Sequence, residues 1–493
     1  MSALDMHRSR AGSAQLLEEL RALSARVEAG ASVMNAAWRP KIQRRAFALA
    51  ASNFARYLAL RRNDLRELQT KLMPLGLSSL GRCEGRVRPN LDAVISALAA
   101  LCGDTSIRAP RSQTFFRGER LLSAETDRIF GPRHGAPKVR IMVTMPSKAA
   151  SDGGKLIHEL VAAGMDAARI NCAHDSPEAW RAMAASVGEA REELARPCSV
   201  YVDLAGPKIR TFEVHVRDDG RVYTGDSLVF VRSLDDAKGS EKAFTCTIPA
   251  VFEHLRAGAP VWIDDGHIGC TVERLVNPNR IELRVAQARE RGDKLRAGKG
   301  LNFPGTHIPA LPLSDADREA LAAVIDVVDI VGYSFVRETS DIELLQAELE
   351  RLGRPKLPIA LKIETVEAVK NLPELIVQAA GRQPTAVMIA RGDLAVEIGY
   401  RRLAEMQEEI LWLCEAASVP VIWATQVLDN FVKTGIPTRA EVTDAAMAER
   451  AECVMLNKGA NVVRAVEVLN DVLPRMAAHQ TKKTSRMRAL SSW

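Results

Sequence analysis

Residues 358–425 read PIALKIETVEAVKNLPELIVQAAGRQPTAVMIARGDLAVEIGYRRLAEMQEEILWLCEAASVPVIWAT, and this stretch decides the fold. Three short apolar runs, 358–364 (PIALKIE), 386–391 (AVMIAR) and 420–425 (PVIWAT), alternate with two longer segments at helical spacing. That alternation is the pattern of βα units around a parallel sheet. Outward from it, five more runs read as strands: 138–144 (KVRIMVT), 167–172 (AARINC), 199–204 (SVYVDL), 328–336 (VDIVGYSFV) and 453–457 (CVMLN). Helices are predicted to begin near Asp152, Pro177, Ser314, Glu338, Val366, Arg401, Thr438 and Asn461. Ser314/Asp317 and Ser340/Glu343 have the spacing of capping boxes, in which side chains satisfy the free N–H groups of a first turn. Eight such units predict an α/β fold, a closed (β/α)8 TIM barrel rather than an open sheet.

The barrel is assigned to 138–211 and 304–475. Between these, residues 212–303 hold alternating strands (RVYTGDSLVFV, VWIDDGHIGCTVERL, RIELRVA) with Gly and Asp turns. They read as a small β-barrel domain inserted after the third strand. Residues 1–130 form an α-helical extension, with Leu58, Leu60, Leu65, Leu68 and Leu72 at helical spacing and a second helix from about Asn90 to Leu101. Gly103 to Pro137 reads as a linker with one short helix. Residues 476–493 are a basic tail, predicted to be disordered after Lys482.

The length, 493 residues, suits two to four domains at about 100–200 residues each. The composition is 47% hydrophobic and 26% charged, with mean hydropathy −0.07, which excludes collagen-like and disordered chains. The sequence shows neither a secretory signal nor an apolar run that could span a bilayer. Eight scattered cysteines without a C-x-x-C pair argue against structural zinc or a disulfide framework, and a reducing cytoplasm is the expected compartment. The net charge of +6 arises at the N-terminus. Residues 1–130 carry 21 Lys and Arg against 12 Asp and Glu, the remainder 46 against 49. The basic region has no interleaved aromatics and no recognisable nucleic-acid motif, so nucleic acid is not an expected partner.

Active sites of such barrels lie at the C-terminal ends of the strands. Those ends carry Arg169, Asn171 and His174, then Asp203, Lys208 and Arg210, then Ser334 and Arg337. They continue with Lys362 and Glu364, Arg391, Gly392 and Asp393, and Thr425 with Gln426. One strand-end Arg or Asp is usually a loop anchor; convergence of so many at one mouth is what points to chemistry. Glu364 and Asp393 suit Mg²⁺ or Mn²⁺ held partly by water and substrate. Arg169, Arg210, Lys299 and Lys362 would neutralise a phosphate and a carboxylate together. The N–H groups of Gly392 and Asp393 could receive a small carboxylate. These residues suggest phosphoryl transfer on a small anionic acid.

At these residues, over about 138–475, the sequence closely resembles pyruvate kinase. The resemblance rests on MDAARINCAH (165–174), DLAGPKIRT (203–211), WIDDG (262–266), GKGLNFPG (298–305), SFVR (334–337), ALKIET (360–365), ARGDLAVEI (390–398), WATQVL (423–428) and PTRAEVTDAA (437–446). It implies a Mg²⁺- or Mn²⁺-dependent conversion of phosphoenolpyruvate and ADP to pyruvate and ATP. Lys362, Thr425 and Arg169 would be catalytic, and Gly392, Asp393, Thr425 and Lys362 would bind the substrate. Glu364 and Asp393 would hold the metal. Asn171, His174, Arg210 and Lys299 would line the nucleotide side, and the insert around Asp265 would close as a lid.

Departures from the family pattern carry their own implications. Ala173 and Leu204 replace hydroxyls of the usual K⁺ site, and Lys208 stands where potassium-dependent members have Glu. A lysine ammonium there supplies the missing charge, so K⁺ is not expected to be required. Thr144–Ser147 lacks the usual Gly, Ala205 replaces Lys, Ala395 replaces Gly, and LNKGAN (456–461) stands in place of an S-G-E-T-A stretch. Only about twenty residues follow the barrel, so sugar-phosphate regulation is not expected, and a homo-oligomer other than the usual tetramer is. Two alternatives remain open at this level. One is a metal-dependent lyase or aldolase on pyruvate-like acids. The other is a non-catalytic regulatory or nucleic-acid-binding protein on a decayed barrel.

Overall fold

The computed structural model describes residues 3–132, 139–216, 219–237, 239, 241–309 and 312–486. All eight expected runs form strands: Arg140–Thr144, Ala167–Asn171, Ser199–Asp203, Ile330–Tyr333, Ile359–Ile363, Thr385–Ala390, Val421–Val427 and Cys453–Leu456. Each pairs in parallel with the next, and the eighth closes on the first. Helices follow at Lys155–Ala163, Pro177–Glu193, Asp315–Val324, Thr339–Arg351, Val366–Ala380, Tyr400–Ala416, Arg439–Met447 and Val462–Ala477. Ser314 and Asp317 form the expected capping box. The next helix departs from expectation. Glu338 and Asp341 form its box instead of Ser340 and Glu343, because the backbone is still extended at Glu338 and turns helical at Thr339.

Side chains alternate between the two faces of a strand, and the barrel obeys that period. Ile359, Leu361 and Ile363 pack outward under the helices, as do Val387 and Ile389. Ala360, Met388, Ala424 and Met455 fill the interior. The same parity turns Arg169, Asn171, Asp203, Lys362 and Glu364 inward at the C-terminal ends. At the opposite end the interior is plugged by Ile129 and Phe130, the last residues of a helix spanning Arg117–Phe130. The expectation of a linker with one short helix is thus corrected: this segment holds Ser112–Phe115 and the longer plugging helix.

The extension begins with helix Ala3–Trp38, which packs on Arg45–Arg61 and Val87–Leu101. It docks on the barrel's outer helices. Trp38 Nε1 donates to Glu374 at 2.7 Å, Arg44 N to Gly381 O at 2.7 Å, and Asn53 Nδ2 to Ala416 O at 2.9 Å. Gly381 is obligatory at this join, since a Cβ would stand 2.4 Å from Lys41 O.

The insert is a seven-stranded sheet ordered Leu301–Asn302, Pro260–Ile263, Ile268–Asn277, Arg280–Gln287, Ser227–Val231, Ala243–Cys246, Thr211–His215. A bridge between Arg210 and Gly300 joins its two ends. Its own core is built around Phe230, stacked on Phe244 at 4.8 Å.

The tail also differs from expectation. Gln480–Thr481 pairs with Thr484–Ser485 in a small hairpin, because Lys482 and Lys483 are drawn to buried or half-buried Glu452 and Glu84. Residues 487–493 of the expected disordered tail lie outside the described residues. Among the described residues no helix is long and apolar enough to cross a membrane.

Candidate active site

The inward residues at the strand ends converge on a cavity of about 160 Å³ lined by Arg169, Asn171, Ala173, Asp203, Leu204, Lys208, Arg210, Ser334, Lys362, Glu364, Asp393 and Thr425, among others. A larger cavity, about 650 Å³, lies at the other end of the barrel beside Phe130, Arg191 and Arg354. Its one carboxylate, Asp329, is already held by Arg191, and no strand C-terminus reaches it.

At the base of the mouth stands Asp203, 1% exposed. Arg169 Nε donates to it at 2.9 Å and Lys362 Nζ lies 3.3 Å away. Burial pushes the Asp203 carboxyl up, but Lys362 and Arg169 overcome this and hold it below the usual range. Lys362 also donates to Ser334 Oγ at 2.6 Å and pairs with Glu364 at 3.3 Å. Burial pulls the Lys362 ammonium down; Asp203 and Glu364 more than offset it, so the lysine stays charged. Arg169 Nη1 reaches Thr144 Oγ1 at 3.0 Å, which fixes the guanidinium across the first two strands.

Glu364 accepts from the Phe335 N–H at 2.7 Å. Its carboxyl is pushed up by burial, and further by Asp393 opposite, against the pull of Lys362. A buried carboxylate whose charge is disfavoured by a second one nearby is a fit for a divalent cation, which would relieve the repulsion. Among the described residues no group of three His, Cys, Asp or Glu forms a fuller metal site. A cation here would therefore have two protein ligands, with water and substrate completing its shell, a habit of Mg²⁺.

Asp393 opens the helix Arg391–Ile398 with Gly392. First-turn N–H groups have no partner within the helix, so those of Gly392 and Asp393 are open to a ligand. Lys208 Nζ lies 2.8 Å from Asp393 and 3.5 Å from Asp265 of the insert. Asn302, on the insert's last strand, donates to both Asp393 and Glu397 at 3.3 Å. Arg391 faces away: it pairs with Asp444 and stacks 4.6 Å over Trp423.

Thr425 is backbone-strained, with φ +65°, and Gln426 follows at +59°. A β-branched residue there costs about 1–3 kcal/mol and marks a constrained site. Its Oγ1 is buried without a hydrogen-bond partner. An orphaned hydroxyl aimed at the mouth is available to a ligand.

On the nucleotide side the expected residues are only partly gathered. Asn171 and Arg210 line the cavity, whereas His174 and Lys299 stand outside its lining. Lys299 is engaged by Asp264 at 2.9 Å, and Asn171 Oδ1 accepts from Ala173 N. Sequence reasoning passed over Thr144, Asn302 and Glu397. Asn302 sits inside the GKGLNFPG stretch, and that placement was the available signal.

A family profile described as "Pyruvate kinase, barrel domain" matches residues 136–462. A pyruvate kinase of Mycobacterium intracellulare is 35% identical over 62% of the chain and 63% of its own length. One of Geobacillus stearothermophilus is 30% identical over 69% of the chain and 57% of its own length. The human pyruvate kinase PKLR is 32% identical over 65% and 56%. The chain thus spans less than two thirds of the length of these relatives.

Proposed function

The chain belongs to the pyruvate kinase family, and on that premise we propose that it transfers the phosphoryl group of phosphoenolpyruvate to ADP, forming pyruvate and ATP. The observation that carries this reading is the buried, charged Lys362 between Asp203 and Glu364, facing the Asp393 helix and the free hydroxyl of Thr425.

Phosphoryl transfer asks mainly for positioning and charge stabilisation. In this reading the N–H groups of Gly392 and Asp393 receive the substrate carboxylate. Lys362 lies against the enol oxygen and the phosphoryl group, and Arg169, oriented by Asp203 and Thr144, caps that group from the second strand. Thr425 supplies its unpartnered hydroxyl beside the carbon that gains a proton. Glu364 and Asp393 would hold Mg²⁺ or Mn²⁺, which supplies charge neutralisation between phosphate and enolate oxygens when bound. The insert, through Lys208 to Asp265 and Asn302 to Asp393, would close the mouth against water.

Lys208 places a fixed ammonium beside the cavity that Asn171, Ala173, Asp203 and Leu204 also line. We infer that it replaces K⁺. The test is pyruvate formation from phosphoenolpyruvate and ADP with Mg²⁺, with and without K⁺, beside a Lys362→Met control. Turnover indifferent to K⁺ and lost in the control supports both parts. A K⁺ requirement overturns the lysine replacement alone. Absence of turnover with oxalate still bound favours the lyase reading instead.

A further inference from the structure

The cavity of about 650 Å³ at the plugged end of the barrel takes no part in the proposed phosphotransfer, yet it has the volume of a small-molecule site. Four cationic residues line it, Arg128, Arg191, Arg354 and Lys356, against one carboxylate, Asp329. Hydrogen bonds fix two of these cations side by side. Arg354 donates to Ile325 O at 2.7 Å and to Val328 O at 3.2 Å, and Arg191 pairs with the next residue, Asp329. Arg191 also donates to Cys198 O, just before the third strand. Gly131 brings the end of the plugging helix to the same place, since a Cβ on it would stand 3.3 Å from Pro197 Cβ.

The charges around this cavity do not balance. Asp329 is spent on Arg191 and on the Val200 N–H, which donates to it at 2.8 Å. Arg128 has only a share of Glu125, 3.3 Å away, which also pairs with Arg44 at 2.5 Å. Arg354 finds carbonyl acceptors alone, and Lys356 makes neither a hydrogen bond nor an ion pair among the described residues. A merely solvated rim would leave its arginines loose. Arg354 is instead half-buried, its fork held on two carbonyls with further N–H groups unspent. Phe130 and Leu357, both buried, give the cavity an apolar floor. Cations held in a cleft and short of counter-charge concentrate anions, and a guanidinium fork matches phosphate and carboxylate oxygens.

We propose that this cavity binds a small, multiply charged anion, with phosphate or carboxylate groups on a compact body, gripped by Arg354 and Lys356. No strand C-terminus reaches it, so the ligand takes no part in the chemistry, and the proposal stands apart from the phosphotransfer reading. Ser199, Asp329 and Pro358 also line the cavity, so the ligand braces the starts of the strands that carry Asp203, Ser334 and Lys362 to the mouth.

The test is calorimetric titration of inorganic pyrophosphate and, separately, citrate into the full chain and its Lys356→Ala and Lys356→Glu variants, without divalent metal. Lys362→Met serves as the control for binding at the mouth. The parent is expected to bind at least one of the two anions and to gain melting temperature from it. Affinity falls about tenfold in Lys356→Ala and further in Lys356→Glu, and is unchanged in Lys362→Met. Lys356 is exposed and partnerless, so its variants keep the parent's melting temperature in the absence of anion. Binding of pyrophosphate alone identifies a phosphorylated ligand, and of citrate alone a polycarboxylate; binding of both shows that charge is what the site reads. Binding that is absent in the parent, or unchanged in Lys356→Glu, or lost in Lys362→Met instead, overturns the proposal.

Discussion

Lys362 shows how one residue's chemistry is set by its neighbours. A lysine this buried would ordinarily lose its proton, but Asp203 and Glu364 at 3.3 Å keep it charged at neutral pH. Lys362→Met removes that charge and leaves two buried carboxylates facing each other; we expect kcat to fall about 10²–10³-fold, measured by coupled pyruvate detection. Glu449 shows the opposite case. It is 8% exposed, its Oε2 has no hydrogen-bond partner, and burial, aided by Glu452 and opposed by Lys482, Arg486 and Arg450, pushes its carboxyl up to about 7. The folded state then holds this proton more tightly than the unfolded chain, so its contribution to stability is largest below about pH 4.5 and is lost as pH rises to 7. Glu449→Gln is expected to gain about 1–2 kcal/mol over the parent at pH 8 and little at pH 5, read from urea unfolding at both pH values.

At the scale of elements, local sequence signals place most helix starts but not their tertiary use. Ser176, Thr365 and Thr438 each cap a barrel helix by accepting from the third residue beyond. By contrast, the helix Arg117–Phe130 carries no sign in its own residues that Ile129 and Phe130 will enter the barrel. Phe130 is 1% exposed there, among side chains contributed by strands that follow it in the chain. Phe130→Ala is expected to cost about 3–5 kcal/mol, because the barrel wall cannot collapse into the space left. Equilibrium denaturation checks it. The strained pair Thr425–Gln426 belongs to this scale as well: the seventh strand shifts register between Trp423 and Val427, which lifts Thr425 into the mouth.

For the whole molecule, the extension acts as a cover. The structure lays it over the helices Val366–Ala380 and Tyr400–Ala416, with Trp38, Asn53 and Arg61 as the joining residues. Lys483 ties it to the C-terminal hairpin through Glu84 while its ammonium sits 3.7 Å over Trp412. Removing residues 1–110 would expose that apolar face, and we expect a lower melting temperature and self-association, measured by calorimetry and sedimentation velocity. The insert is coupled to the mouth by single side chains, Lys208 and Asn302. Asn302→Ala is therefore expected to raise the Mg²⁺ concentration needed for half-maximal rate about threefold to tenfold, by removing one of the two side chains, with Lys208, that orient Asp393.

The sequence by itself determined the eight strands, the helices that follow them, the strand-end positions of Arg169, Lys362 and Glu364, and the family. Each of these depends on local periodicity or on residues close together in the chain. The capping box falls on Glu338 and Asp341 because the chain turns helical at Thr339, whereas the hairpin after His479 depends on where Glu452 and Glu84 lie in space. Only the tertiary structure decided that Arg391 turns away to Asp444 and that Lys299 is taken by Asp264. The physical reason is common to both: each side chain's partner is set by distance between segments far apart in sequence, and no local pattern encodes that distance.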